Sequence, residues 1–168
     1  LRVPLAQAGG VVAARAAHRS AVGDVAAPER LAREVLGTAG ALHFAIRYSE
    51  PGAGTALASL TTSAVRDGDE WVINGQKTFT SLADFADYIW LAARTDPTSK
   101  KHRGISIFIV PTTAPGFKLT PIWTMADVRT NATYFDNVRV PARYLIGGEN
   151  NGWGLITNQL NHERVSLF

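Results

Sequence analysis

Three stretches of this chain carry residue types suited to holding a ligand. The first is Tyr48-Ser49-Glu50-Pro51-Gly52-Ala53-Gly54-Thr55. Glycines let backbone N–H groups approach a ligand closely, and Ser and Thr hydroxyls add donors. The combination suits a pyrophosphate or the edge of a flavin ring. Spacing alone favours an ordinary loop entering a sheet. The second is Asn74-Gly75-Gln76-Lys77-Thr78-Phe79-Thr80-Ser81. Phe79 can lie flat against an aromatic ring system with Thr80 and Ser81 offering donors beside it, or it can be a core aromatic of a strand. The third is Asn161-His162-Glu163-Arg164, where the Arg can meet a phosphate or a carboxylate, or form a surface ion pair. His162 and Glu163 are adjacent on a helix and point apart, which argues against an acid–base pair.

Other chemistries fall away. A dinucleotide-binding fingerprint built on Gly52 and Gly54 needs glycine at position 57, which is Leu57, and no β-α-β unit follows. No Gly-x-Ser-x-Gly is present, so Ser49, Thr55 and Ser81 lack a nucleophile's setting. Glu50 precedes a proline in a tight turn and reads as structural. The chain has no Cys, and its four His residues show no metal-ligand spacing.

The elements that must position these stretches follow from periodicity. Pro28 opens a helix running to about Leu42, with Leu31, Val35 and Leu42 on one face. Strands follow: Leu60 to Val65, a turn at Arg66-Asp67-Gly68-Asp69, and a return through Glu70-Trp71-Val72-Ile73. Asn74-Gly75 signals a second tight turn. Tyr88 to Arg94, Ile105 to Val110, Phe117 to Trp123 and Thr133 to Val140 read as further strands. After Gly152 the period becomes helical, with Trp153, Ile156, Leu160 and Leu167 near one face. The fold expected is α+β, an antiparallel β-barrel or sandwich flanked by helices.

Composition bounds the rest. The chain has 168 residues, 46% hydrophobic and 18% charged, enough for one packed domain with pieces of its neighbours. The net charge is +3, and 13 of the 17 basic residues are Arg. The densest basic run, Lys100-Lys101-His102-Arg103, reads as a solvated loop tip and lacks the interleaved aromatics of a nucleic-acid patch. A modest positive balance suits anionic small ligands, including phosphate-bearing cofactors. No apolar run reaches the ~18 residues that a membrane span needs. The N-terminus lacks the order of a signal peptide, so a cytoplasmic location is expected. Leu1 in place of Met hints at a fragment.

The three stretches occur in the order and at about the spacing seen in acyl-CoA dehydrogenases, and Phe135-Asp136-Asn137-Val138-Arg139-Val140-Pro141 and Gly148-Glu149-Asn150-Asn151-Gly152-Trp153 look like later segments of that family. Tyr48 to Thr55 resembles that family's Thr/Ser-Glu-Pro-x-x-Gly-Ser/Thr-Asp signature, and Asn74 to Ser81 its Asn-Gly-x-Lys-x-Trp-Ile-Thr stretch. The wording is closest to actinobacterial members, some of which act on steroid side chains and assemble from two kinds of subunit. The resemblance runs from about Phe44 to Phe168. It implies a partial N-terminal helical region over 1–43, a middle β-domain over 44–148 and the start of a C-terminal helical domain over 149–168.

It also implies FAD as cofactor. Ile46, Tyr48, Ser49, Gly54 and Thr55 would hold the flavin and its phosphates. Phe79 would replace the usual Trp against the isoalloxazine, with Thr80 beside it and Ser81 in place of the Thr near flavin N5. Thr55, Asn161 and Arg164 would meet the CoA of an acyl-CoA substrate. The implied partners are an electron-transfer acceptor and further subunits in a homo- or hetero-oligomer, with no nucleic acid and no membrane insertion. The chain departs from the family pattern at Ala56, where an Asp is usual, at Asn161, where an acidic residue is usual, and over residues 1 to 40. It ends at Phe168, before the helical domain whose Glu removes the α-proton in most of the family. The expectation is therefore α,β-dehydrogenation by the whole enzyme and an inactive chain alone. The alternative is a non-catalytic subunit or remnant that contributes an interface or part of a flavin pocket.

Overall fold

The computed structural model describes residues 43–125 and 129–165, with side chains up to 163. The helix expected over Pro28 to Leu42, the region 1–42 as a whole and the Leu167 position lie outside the described residues. So does the side chain of Arg164.

Eight strands and one helix follow in order: β1 Phe44–Arg47, β2 Ser63–Asp67, β3 Glu70–Lys77, β4 Tyr88–Arg94, β5 Ile105–Pro111, β6 Phe117–Ile122, β7 Thr130–Pro141, β8 Leu145–Ile146 and α1 Gly152–Val165. They form one open sheet in the order β6-β7-β3-β2-β4-β5-β8, with β1 on the side of β4. Pairing is antiparallel except where β4 receives β1 along its length and touches β2 at the single pair Ser63↔Arg94, both parallel. That single pair is the seam between two halves.

The halves share a core. Trp71 and Ile73 of β3 and Val138 and Val140 of β7 pack with Ile89 and Leu91 of β4 and with Phe108 and Val110 of β5. Trp71 meets Phe108 edge-on at 5.3 Å, in the geometry that aromatic quadrupoles favour. The alternate residues of β4 and β5 form a second cluster: Trp90, Ala92, Ile105, Ile107 and Ile109 pack with Ile156 of α1 and with Tyr48. This explains the unbroken apolar run of β5. Both of its faces are covered, so neither can be polar. Trp153 and Leu160 pack on the same second cluster, as the helical spacing predicts.

Asn74-Gly75 is not a turn. Both residues lie within β3, at an irregularity of its register with β7 between Ile73 and Gly75. Gly75 has φ +149, and a Cβ there would lie 2.6 Å from Thr62 Oγ1. The Asn-Gly pair is used for a bulge and a close approach, and pairing with β7 overrides its turn preference.

Candidate functional site

The site is built on a buried ion pair that joins the first two stretches. Lys77, the last residue of β3, reaches Glu50 Oε1 with its Nζ at 2.7 Å, and the two side chains are 0% and 3% exposed. The same Nζ donates to the Tyr48 carbonyl at 3.3 Å. Glu50 also accepts from the Thr61 N–H at 2.6 Å, the Thr61 hydroxyl at 2.7 Å and the Thr62 N–H at 2.9 Å. Burying two charges is expensive unless both are paired and their remaining lone pairs are met, which is the arrangement here. Burial pushes the Glu50 carboxyl up. The Lys77 charge and the hydrogen bonds from Lys77, Thr62 and Thr61 outweigh it and hold the group down at about 2. Burial draws the Lys77 ammonium down to about 8, and Glu50 opposes that shift. Glu50 is thus held as an anion of low proton affinity with both oxygens engaged, which makes it a poor base.

Beside this pair the Thr78 N–H donates to the Ser49 carbonyl at 3.0 Å. The Ser49–Thr55 loop and the stretch after β3 therefore start side by side. From there they diverge in character. Residues 51–55 are a turn in which Gly54 has φ +54, and Gly54 and Thr55 are exposed.

After Lys77 the chain leaves the sheet, so Phe79 to Ser81 are a loop and not the strand expected from sequence. Phe79 adopts φ 59 and its side chain is 61% exposed. A bulky residue in the left-handed region costs on the order of 1–3 kcal/mol and persists only where its surroundings impose it. Thr80 supplies that constraint. It is fully buried, its N–H donates to the Asn131 carbonyl at 2.7 Å, and its carbonyl accepts from Asn131 Nδ2 at 2.8 Å. Its hydroxyl meets that of Thr133 at 3.3 Å. Thr80 thus belongs to the floor of the loop, and the outward groups are the Phe79 ring and exposed Ser81.

The other expected residues fall into place around this. Tyr48 is buried, and its hydroxyl accepts from Trp90 Nε1 at 3.1 Å; burial raises its pKa. Only its backbone belongs to the loop. Ile46 packs on the cluster around Trp90. Asn161 is exposed on α1. Sequence reasoning missed Lys77 and Asn131 as the residues that hold the two stretches. A lysine ending an otherwise apolar strand was the available signal for the first; nothing local marked the second. The donor set suits a flavin: neutral hydroxyls, a glycine turn and an exposed aromatic face, with the nearby cation already neutralised.

The model of the acyl-CoA dehydrogenase middle domain matches residues 45–138. The chain belongs to the acyl-CoA dehydrogenase family. It is 65% identical over 132 residues to acyl-CoA dehydrogenase FadE26 of Mycobacterium tuberculosis, covering 77% of this chain and 33% of that protein. Among solved structures it resembles the Tcur3481-Tcur3483 steroid ACAD, with 58% identity and a TM-score of 0.80 over 83% of this chain and 37% of that one. It also resembles the ChsE4-ChsE5 complex of Mycobacterium tuberculosis, with 55% identity and a TM-score of 0.76 over 91% of this chain and 38% of that one. The chain spans about a third of the length of the curated relatives it matches. Acyl-CoA dehydrogenases are FAD-dependent oxidoreductases. Among the described residues no group of side chains could hold a metal ion, and no helix is long and apolar enough to cross a membrane.

Proposed function

We propose that residues 44–148 serve as the flavin-binding middle β-domain of an acyl-CoA dehydrogenase, with 149–168 beginning a helical domain and 1–43 belonging to an N-terminal helical region. The observation that carries this reading is the Glu50–Lys77 clamp, which sets the Ser49–Thr55 turn beside an exposed, left-handed Phe79. Phe79 would stack on the isoalloxazine, and Ser81 would donate near its reactive edge. Ser49, Gly54 and Thr55, with the backbone of Ile46 and Tyr48, hold the rest of the cofactor. Thr55, Asn161 and Arg164 meet CoA. FAD, when bound, would supply the hydride acceptor for the β-carbon of the acyl-CoA thioester. The donors of the loop stabilise the negative charge that then develops.

We place the base that takes the α-proton outside residues 1–168: Glu50 is committed to Lys77, Thr61 and Thr62, and Glu163 accepts from Gln159 Nε2 at 2.8 Å. Residues 1–168 alone are therefore inactive. Activity requires the rest of a longer protein or further subunits of a cytoplasmic oligomer, and electrons leave to a protein acceptor. A second reading, a non-catalytic subunit, is favoured by Ala56. This residue opens the 3-10 turn Leu57–Ser59 without a side-chain cap, where the family usually carries an Asp. The test is to add FAD and an acyl-CoA to residues 1–168 and to the FAD-containing longer protein, with an artificial electron acceptor. The first reading expects flavin bleaching by the thioester in the longer protein and no turnover by residues 1–168. A longer protein that stays colourless with FAD supports the second. Turnover by residues 1–168 contradicts the placement of the base.

A further inference from the structure

The two segments of the candidate flavin wall, 44–55 and 77–81, hold three charged side chains: Arg47, Glu50 and Lys77. Glu50 and Lys77 cancel one another in the buried clamp. The wall is left with one net positive charge, two cations less one anion, and Arg47 carries it. Arg47 ends β1 and lies two positions before Ser49. Side chains alternate along a strand. Ala45 packs on the cluster around Trp71, and Ile46 and Tyr48 on the cluster around Trp90. Arg47 therefore leaves β1 on the side of Ala45, between the two residues whose backbone is assigned to the cofactor.

Arg47 is half-buried and lacks a partner. Its Nε is buried and meets no acceptor, and its guanidinium makes no ion pair among the described residues. Other arginines of the domain are satisfied. Arg94 donates to the carbonyls of Ala58, Leu60, Lys101 and Arg103, Arg129 pairs with Asp84, and Arg139 pairs with Asp67 and Glu70. Burial draws the Arg47 guanidinium down to about 9, and the charge of Glu163 on α1 opposes that shift. Glu163 does not close on it, and its Oε2 accepts from Gln159 Nε2 at 2.8 Å. A partly desolvated cation without a counter-charge is unfavourable, and an anion placed beside it relieves that cost.

We propose that Arg47 supplies the positive charge that stabilises the reduced flavin ring and thereby raises the reduction potential of the cofactor. The inference rests on the flavin-binding reading above. A hydride carries two electrons and one proton. Its transfer leaves one negative charge on an initially uncharged ring, while the acyl-CoA loses that hydride from its β-carbon and a proton from its α-carbon. The hydroxyls of Ser49, Thr55 and Ser81 can orient a ring in either state, but they bring no full charge. The oxidised ring offers Arg47 only dipoles, and the reduced ring offers the missing anion. Arg47 thus favours the reduced state over the oxidised one, which is how a fixed charge beside a flavin tunes its electronics.

The experiment uses the longer protein as wild type, Arg47→Lys, Arg47→Gln and Arg47→Met. Affinity for oxidised FAD is measured by calorimetry on the apo forms. The two-electron midpoint potential of the FAD-loaded forms is measured by spectrophotometric titration against reference dyes, without acyl-CoA. The two neutral variants should bind oxidised FAD nearly as wild type does and hold the reduced form about tenfold more weakly, which lowers the midpoint potential by about 30 mV. Arg47→Lys should keep most of the wild-type potential. Equal potentials in wild type and the neutral variants overturn the role of Arg47 and leave the flavin reading standing. A wild type that binds no FAD overturns both. Neutral variants that lose affinity for the two redox states equally, or that fail to take up FAD and unfold earlier in denaturant, assign Arg47 to the fold and overturn the proposal. A shift in potential that appears only when an acyl-CoA is added assigns Arg47 to the acyl group and overturns it as well.

Discussion

Two ion pairs in this molecule are nearly equal in length and differ in everything else. Lys77 meets Glu50 at 2.7 Å beneath the candidate loop, with both side chains buried. Arg139 meets Asp67 at 2.6 Å at the outer end of the β2–β3 hairpin, and also Glu70 at 3.0 Å, with Arg139 52% exposed and Asp67 59%. The first pair joins the turn after β1 to the end of β3, segments with no strand pairing between them, and the loop geometry depends on it. The second links β7 to β2 across the intervening β3, strands whose register is already set by the β2–β3 and β3–β7 ladders. The distance between charges does not reveal the importance of a pair. Desolvation and the lack of a strand ladder between the partners do.

The largest effect should come from breaking the buried pair on one side. Lys77→Met leaves the Glu50 carboxylate buried without its cation and should lower stability by about 3–5 kcal/mol in denaturant unfolding. The double variant Lys77→Met/Glu50→Gln should recover much of that loss, because no charge is then stranded.

Acid should open the same pair more gradually. The Glu50 carboxyl sits at about 2 in the fold, against an ordinary value of 4.5. A group with a depressed folded pKa contributes fully where the unfolded chain is also ionised, and the contribution is lost as the pH falls through the folded value. The wild type should therefore lose roughly 3 kcal/mol between about pH 5 and pH 2 that Glu50→Gln does not lose.

A smaller effect, of either sign, belongs to the rim. Phe79→Gly removes the left-handed strain and, at 61% exposure, forfeits little packing. Stability should change by no more than about 1 kcal/mol, in either direction as strain relief offsets the glycine's entropy. Loss of several kcal/mol would mean that the ring is part of the core. The smallest effect should be at the exposed pair. Arg139→Ala should leave the unfolding midpoint within error of wild type at physiological salt, and a clear loss there would erase the contrast between the two pairs.

Much of this was legible in the sequence, for reasons that can be named. Tyr88–Arg94 and Ile105–Pro111 are bounded by turn residues and dense in β-branched or aromatic side chains, so their ends were readable. The Arg66–Asp69 hairpin was marked by Asp-Gly. β1 is not legible as a strand, because four residues paired parallel to β4 carry no alternation of their own. Asn74-Gly75 misled, since the local turn signal lost to β7 pairing and to the close approach of Thr62. Within the candidate site, the order of the stretches was visible and their mutual hold was not. Glu50 and Lys77 are 27 positions apart, and Thr80 and Asn131 are 51 apart, with no periodicity linking either pair. Phe79 was singled out for its ring, but its left-handed backbone is dictated by the bonds of Thr80 to Asn131 and could not be read from its neighbours.

The central claim is that a buried clamp presents Phe79 to a flavin. The most direct measurement is the FAD affinity of the apo form of the longer protein by calorimetry, for wild type, Phe79→Ala and Phe79→Trp. Ring stacking worth about 0.5–1.5 kcal/mol predicts that Phe79→Ala weakens FAD by several-fold to about tenfold, while Phe79→Trp keeps or improves it, with unfolding stability unchanged among the three. Equal affinity for FAD in wild type and Phe79→Ala would contradict the account.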